Sequence, residues 1–401
     1  MKHIFLTAAL LISGFLPSFA ETAAGSRSDE ENAKPKFHIV PRARMLMDGA
    51  LYFPDNNGFS DGVTISDLRL GFKASYGDFS LLADIAYAYQ KLGVRDVYMQ
   101  WTPNQHNYLR FGYFIQPYGL VSGVGAAMRP NMIPATAESF FFGVNRHLGV
   151  MYHYSDPKFF TATSLIVSKE SLSEPANLQG RVSWGAMERF AWRPLHEDGL
   201  VAQVGISAAY QSPLYDAMKN EDGNTVKVPG SGHFEFSANF PTDVDRVGLL
   251  QASVSHARGS FRMSPELILA KGRLALEGQY YYMNVWRAGG LHSYQAHGMF
   301  ALLRGIVFGD NAWKYNSGNA VLDNPKPKSL ECVLGYSYTN GSDSRAGIFG
   351  GISNDYSVTF NYFINKYMIA RLRYSYTDVR NSDVVKRRHE NIIQARIQFQ
   401  F

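Results

Sequence analysis

The sequence predicts an all-β fold, a transmembrane antiparallel β-barrel, from three observations. Segments of about ten residues alternate apolar and polar positions from Phe37 to the last residue, the period of strands with one face in each of two environments. Aromatic residues reach 14% while charged residues fall to 18%, below the average of about 25% for globular chains. The connections between segments alternate short and long, as in barrels with brief periplasmic turns and longer outer loops.

Composition removes the competing classes. The 46% hydrophobic content of this 401-residue chain gives ample apolar surface to bury, which excludes disorder for most of it. No segment after the first twenty residues offers the roughly 20 continuous apolar residues of a spanning helix. A single cysteine excludes a disulfide framework or a Cys-rich metal site. The net charge of +5 carries no basic run suited to nucleic acid.

In chain order, Met1–Ala20 reads as a secretory signal: Lys2 before an apolar stretch, Ile4–Leu16, then Ser18-Phe19-Ala20 as a small-x-small cleavage site. Residues 21–36 are polar and read as a flexible leader, and 37–401 as the barrel. In Asp67–Tyr76 the residues Leu68, Leu70, Phe72, Ala74 and Tyr76 oppose Asp67, Arg69, Gly71, Lys73 and Ser75. Met368, Ala370, Leu372, Tyr374 and Tyr376 oppose Arg371, Arg373 and Ser375. The final segment sets Ile393, Ala395, Ile397, Phe399 and Phe401 against Gln394, Arg396, Gln398 and Gln400. A sandwich also alternates, but a strand ending on an exposed aromatic fits a face that meets lipid. Phe399 and Phe401 are accordingly expected to signal the barrel-assembly machinery. Closure follows from the solvent: hydrocarbon offers no partner to N–H and C=O groups, so strands cross only as a sheet without edges. The clusters Tyr98 with Trp101, Tyr280–Tyr282, Phe360 with Tyr362 and Phe363, and Tyr374 with Tyr376 are expected to form the interfacial girdles.

Short connections fall at residues 76–78, 102–107, 155–158, 193–199 and 365–366, and long ones at 116–145, 168–180, 211–232 and 378–390. The stretch Asp310–Ser329 breaks the rule, being long where a turn is due, and its Pro-Lys-Pro-Lys cannot lie inside a ladder. Counting strands from the pattern alone gives eighteen, the doubtful pair being Gly232–Phe240 and Val247–His256.

With the polar face inward, the expected lumen residues are Arg42, Arg44, Arg69, Lys73, Arg110, Arg273, Arg371, Arg373 and Arg396, against Asp48, Asp67, Asp84, Asp96 and Glu277. The basic excess fits weak anion preference through field focusing. The alternative is that these charges pair across strands and keep a wet interior solvated. Enzyme motifs are absent: no G-x-S-x-G, no P-loop, and His389-Glu390 lacks the second zincin histidine because position 393 is Ile. Asp243-Val244-Asp245 is too short for a calcium loop, so no metal or cofactor is expected. Cys332 shares a face with Leu330, Leu334 and Tyr336 and is read as lipid-facing.

The stretches LRLGFKASYGDFSLLADIAYA and VYMQWTPNQHNYLRFGYFIQPYGL resemble the phosphate-selective porin O and P family. So do Arg146-His147-Leu148-Gly149-Val150, Trp192–Gly199, the Pro-Lys-Pro-Lys stretch, Ser329–Tyr338 and Asn354–Tyr376. The resemblance implies a homotrimeric, anion-preferring porin of the Gram-negative outer membrane with sixteen strands, the doubtful pair being assigned to an outer loop. It also implies a third loop, residues 116–145, that folds inward and constricts the lumen, with Gln116, Tyr118, Arg129 and Glu138 as its candidate residues. Where the family has a Phe-Lys-Glu-Pro-Phe-like stretch, this chain has Phe114-Ile115-Gln116-Pro117-Tyr118, and Arg129 is the only basic residue from Gly119 to Asn145. Since selective filters need several convergent charges at close quarters, the expectation is a general pore for small anionic or neutral solutes. The rivals are an outer-membrane enzyme and an adhesin or scaffold with a plugged barrel.

Overall fold

The computed structural model describes residues 36–53, 58–88, 91–122, 124, 128–143, 146–167, 183–223, 225–382 and 387–401. The expected signal segment, the leader up to residue 35 and the long connection 168–180 lie outside the described residues.

Sixteen strands close into one antiparallel barrel. They are β1 (His38–Phe53), β2 (Gly62–Tyr76), β3 (Phe79–Ala88), β4 (Lys91–Trp101), β5 (Asn107–Ile115), β6 (Arg146–Ser155), β7 (Phe159–Val167), β8 (Trp184–Glu197), β9 (Leu200–Gln211), β10 (Ala257–Lys271), β11 (Leu274–Arg287), β12 (Tyr294–Phe308), β13 (Ser329–Asp343), β14 (Ile348–Phe363), β15 (Met368–Ser382) and β16 (Arg387–Gln400). Closure is made by β16 on β1, from Arg44 opposite Gln400 to Phe53 opposite Asn391. Phe401 extends that ladder by exchanging backbone hydrogen bonds with Ala43, at 3.0 and 3.2 Å. Deleting Phe401 removes this pair at the seam, and replacing it by a charged residue places charge on the lipid face. Either change is expected to abolish the heat-modifiable barrel in outer-membrane fractions; normal levels of that species would refute the role given to the terminal strand.

Apolar residues face out along the strands. Leu70 is 63% exposed and Leu372 51%, whereas Arg44, Asp84, Arg371 and Arg373 are buried in the interior. An arginine at Leu70 should cost about 2–4 kcal/mol near the midplane. Single cysteines at 70 and 372, with Cys332 replaced, should resist a membrane-impermeant thiol reagent, and cysteines at 42 and 73 should react. The reverse pattern would overturn the face assignment. The girdle expectation needs correction at three positions. Trp101, Tyr280, Phe360, Tyr362 and Tyr374 point outward, but Tyr98, Tyr281 and Phe363 take the opposite parity and point into the barrel. Tyr98 lies edge-on to Phe114 and Tyr281 stacks on Phe141.

Three segments fold into the lumen. The third loop carries the helix α1 (Thr136–Phe142), whose Phe140 and Phe141 reach 1% exposure. Arg262 on β10 caps its end by donating to the Phe141 carbonyl at 2.8 Å. The doubtful strand pair is a separate two-stranded hairpin, Phe234–Asn239 with Gly248–Val254, outside the barrel ladder. It packs inward, with Phe236 near Phe140 at 6.1 Å and Tyr294 at 6.3 Å. The tip that follows is bound to the wall: the Pro241 carbonyl accepts from Arg373 at 3.1 Å and Gln394 at 2.7 Å.

The third insertion rises from the other rim. Residues 310–328 hold a two-residue ladder, Tyr315–Asn316 with Val321–Leu322, and the Pro-Lys-Pro-Lys stretch stays outside every strand. Arg189 on β8 donates to the carbonyls of Asn319 and Ala320, each at 2.9 Å. Arg193 donates to Ser317 at 2.8 Å, and His153 Nε2 bonds the Gly318 carbonyl at 3.0 Å. Trp313 is 1% exposed and lies 4.2 Å under the Arg304 guanidinium.

Candidate functional site: an arginine-lined passage

Two cavities lie mainly against β1–β6. One cavity of about 530 Å³ is lined by Arg42, Arg44, Arg69, Arg110, Arg146 and Arg189, by the acids Asp84 and Asp96, and by Tyr98, Tyr108, Ile115, Gln116 and Gly318 among others. A second of about 320 Å³ is lined by Arg44, Arg69, Arg95, Arg129, Arg146, Arg246 and Arg396, by Asp67, Glu138 and Asp243, and by Ile115, Met132 and Phe142. Arg44, Arg69, Ile115 and Arg146 border both. They form a neck between the two chambers.

The neck is a mesh of ion pairs. Arg69 lies 3.2 Å from Asp96, 3.3 Å from Asp67 and 3.8 Å from Asp84. Arg146 donates to both oxygens of Asp96 at 3.1 Å, Arg44 pairs with Asp67, and Arg42 stands 3.6 Å from Asp84. Local backbone builds this crowding. The β3–β4 register shifts between Ala83 and Ile85, so the residues at the shift gather on the lumen side. Gly71 opposite leaves the space, since a Cβ there would overlap the Asp84 carboxylate.

The other expected lumen residues divide by environment. Arg110 faces the first chamber, held by Gln100 at 2.8 Å with its guanidinium 4.1 Å above the Tyr98 ring. Lys73 is exposed near the β2–β3 turn. Arg371, Arg373 and Arg396 point inward but anchor the inserted segments. Arg371 donates to the Arg129 carbonyl. Arg373 pairs with Asp355 at 3.1 Å as well as with Pro241. Arg396 pairs with Asp48 and Asp243, both at 2.6 Å. Glu277 meets Arg304 beneath the insertion from the far rim. Arg273 departs from expectation: it occupies the turn between β10 and β11, where the alternation of its neighbours no longer sets its direction, and it donates to Asn311 at 2.9 Å.

In the third loop, Gln116 is fully buried and donates to the carbonyls of Phe114 and His147, both at 3.3 Å. Tyr118 stacks on Phe142 with ring centres 5.1 Å apart. Arg129 bonds Glu138 at 2.8 Å. Burial pushes the Glu138 carboxyl up, and the Arg129 charge pulls it down by less. On acidification Glu138 therefore gains its proton above the ordinary glutamate range, leaving Arg129 uncompensated and the second chamber more positive. The anion-to-cation permeability ratio should rise as pH falls through that range. Glu138→Gln should reproduce the acid value at neutral pH and flatten the profile; an unchanged profile in this variant would assign the response elsewhere.

Sequence reading missed Arg146, Arg189, Arg95 and Arg246 as cavity residues. Arg189 was readable, because Phe190 and Trp192 alternate with Arg189, Ala191 and Arg193 along β8. Arg146 was not: strict alternation turns it outward, but it is the first residue of β6 and swings onto Asp96.

A family model described as phosphate-selective porin O and P matches residues 26–401. Among solved structures, an anion-selective porin from Comamonas acidovorans superposes with a TM-score of 0.57 at 11% identity, covering 91% of this chain and 100% of that one. The trimer form of in-vitro folded OmpT from Vibrio cholerae gives 0.55 at 12% identity, covering 91% and 99%. The outer-membrane channel DcaP of Acinetobacter baumannii gives 0.52 at 11%, covering 92% and 98%. At these identities the likeness is one of fold. A comparison with curated proteins gives no match.

Proposed function

Since the chain belongs to the phosphate-selective porin O and P family, we propose that small anions cross it passively through the neck at Arg44, Arg69 and Arg146. The protein is an outer-membrane channel. The observation that carries the anion reading is the arginine excess around both chambers, which concentrates counter-ions in a confined aqueous path. The preference is weak, because Asp67, Asp84 and Asp96 offset much of that charge within the neck. Lys and Glu of the family's loop motif are Ile115 and Gln116 here, which argues against a micromolar phosphate filter. Diffusion needs no cofactor and no enzymatic step. The working unit is a homotrimer, exported with cleavage after Ala20 and inserted by the barrel-assembly machinery reading Phe399 and Phe401.

One observation favours a second reading, a plugged barrel serving as adhesin or scaffold: three inserted segments are hydrogen-bonded to the inner wall. Purified protein in planar bilayers separates the two. Stepwise conductance, with swelling of liposomes in small solutes, supports the channel; silence in both assays supports the plug.

A further inference from the structure

We propose that the passage recognises small organic monocarboxylates carrying a short hydrocarbon chain, in preference to inorganic phosphate; this rests on the anion-channel reading and names its substrate class. A phosphate filter needs several guanidinium edges free to converge on one dianion. Here those edges are already occupied: Arg69 by Asp96 and Asp67, and Arg146 by both oxygens of Asp96. A phosphate entering the neck has to displace carboxylates, leaving them buried without partners, and carries its double charge past all three aspartates. A monocarboxylate carries half that charge and needs one open edge. Arg42 supplies it, with a side chain 43% exposed and its one ion pair among the described residues, to Asp84, as long as 3.6 Å. Arg110 adds a second cation whose hydrogen bonds go to neutral Gln100, with no ion pair among the described residues.

The wall beside these cations is apolar. Leu82, Ile115, Pro117 and Met128 line the first chamber, and Ile115 also lines the second. A phosphate gains nothing from such a wall. An alkyl chain does, because each methylene leaving water against it is favourable. The arrangement, cation on one side and hydrocarbon on the other, matches the head and tail of an alkanoate.

The test is a set of bi-ionic reversal potentials on the native full-length porin in planar bilayers, with potassium chloride on one side. The other side holds potassium formate, acetate, propionate or butyrate, and potassium phosphate in a separate series. After correction for free-solution mobility, permeability should rise with each added carbon, about twofold per methylene if each is half withdrawn from water, and phosphate should fall below acetate. Ile115→Asn should flatten that rise, with heat-modifiability reporting whether the barrel forms; if it does not form, Leu82→Ser replaces it. A flat or falling corrected series, micromolar block by phosphate, or a slope untouched by the folded variant overturns the proposal. Those outcomes in a pore that still favours chloride over potassium leave the anion-channel reading standing. A pore that favours potassium overturns both.

Discussion

Arg69→Glu is expected to turn the passage from anion-preferring to cation-preferring, measured as a change in sign of the reversal potential across a potassium chloride gradient. Arg69 is the one guanidinium within 4 Å of three neck carboxylates, Asp67, Asp84 and Asp96, among the described residues. At present Arg42, Arg44, Arg69 and Arg146 face those three aspartates. The substitution leaves three cations against four anions, so the local field reverses. Each aspartate keeps one arginine, Asp67 with Arg44, Asp96 with Arg146 and Asp84 with Arg42, so the change weakens the mesh by adding a like charge without leaving a carboxylate unpaired. The sixteen-strand ladder does not depend on these side chains, so the barrel should still assemble. An unchanged reversal potential in an assembled Arg69→Glu barrel would show that selectivity is set elsewhere.

The barrel itself was legible in the sequence because membrane strands repeat one instruction. Leu70 and Phe72 against Arg69 and Lys73, or Ile397 and Phe399 against Arg396 and Gln398, place each residue by parity alone. The filling of the lumen was not legible, for a chemical reason. The segment 310–328 is held by its own backbone carbonyls, accepting from Arg189, Arg193 and His153, and a carbonyl leaves no mark in a sequence. The hairpin at Phe234–Asn239 and Gly248–Val254 alternates like any strand pair, so periodicity counts it into the barrel although it packs inside. The neck was half readable. Arg44, Arg69, Asp84 and Asp96 follow from parity, but Arg146 sits at a strand start where parity lapses, and the bulge that crowds the aspartates together is a property of register.

Excising the far-rim insertion is expected to have the second large effect. Replacing residues 311–327 by an Asn-Gly turn, the residue pair suited to a two-residue hairpin, removes the carbonyls that cover Arg189 and Arg193 together with Trp313. Single-channel conductance should rise severalfold. Anion preference should strengthen, because Arg193, which has no ion pair among the described residues, would gain contact with water, while Arg189 keeps its pair with Glu266 at 2.8 Å. Loss of the insertion's carbonyl acceptors should lower the temperature at which the heat-modifiable form disappears, even though Arg189 keeps Glu266 and Arg193 keeps the Phe159 carbonyl. An assembled deletion barrel with native conductance would mean that the narrowest point lies wholly at the neck and that the insertion is a strut.

The most direct test of the account is the reversal potential of the native pore under a tenfold potassium chloride gradient, taken at low and at molar salt. Fixed arginine charge in an aqueous neck predicts a potential of anion-selective sign that shrinks as salt rises, since the Debye length falls from about 10 Å at 0.1 M to about 3 Å at 1 M. A cation-selective sign, or an anion-selective potential that does not weaken between those concentrations, would contradict it.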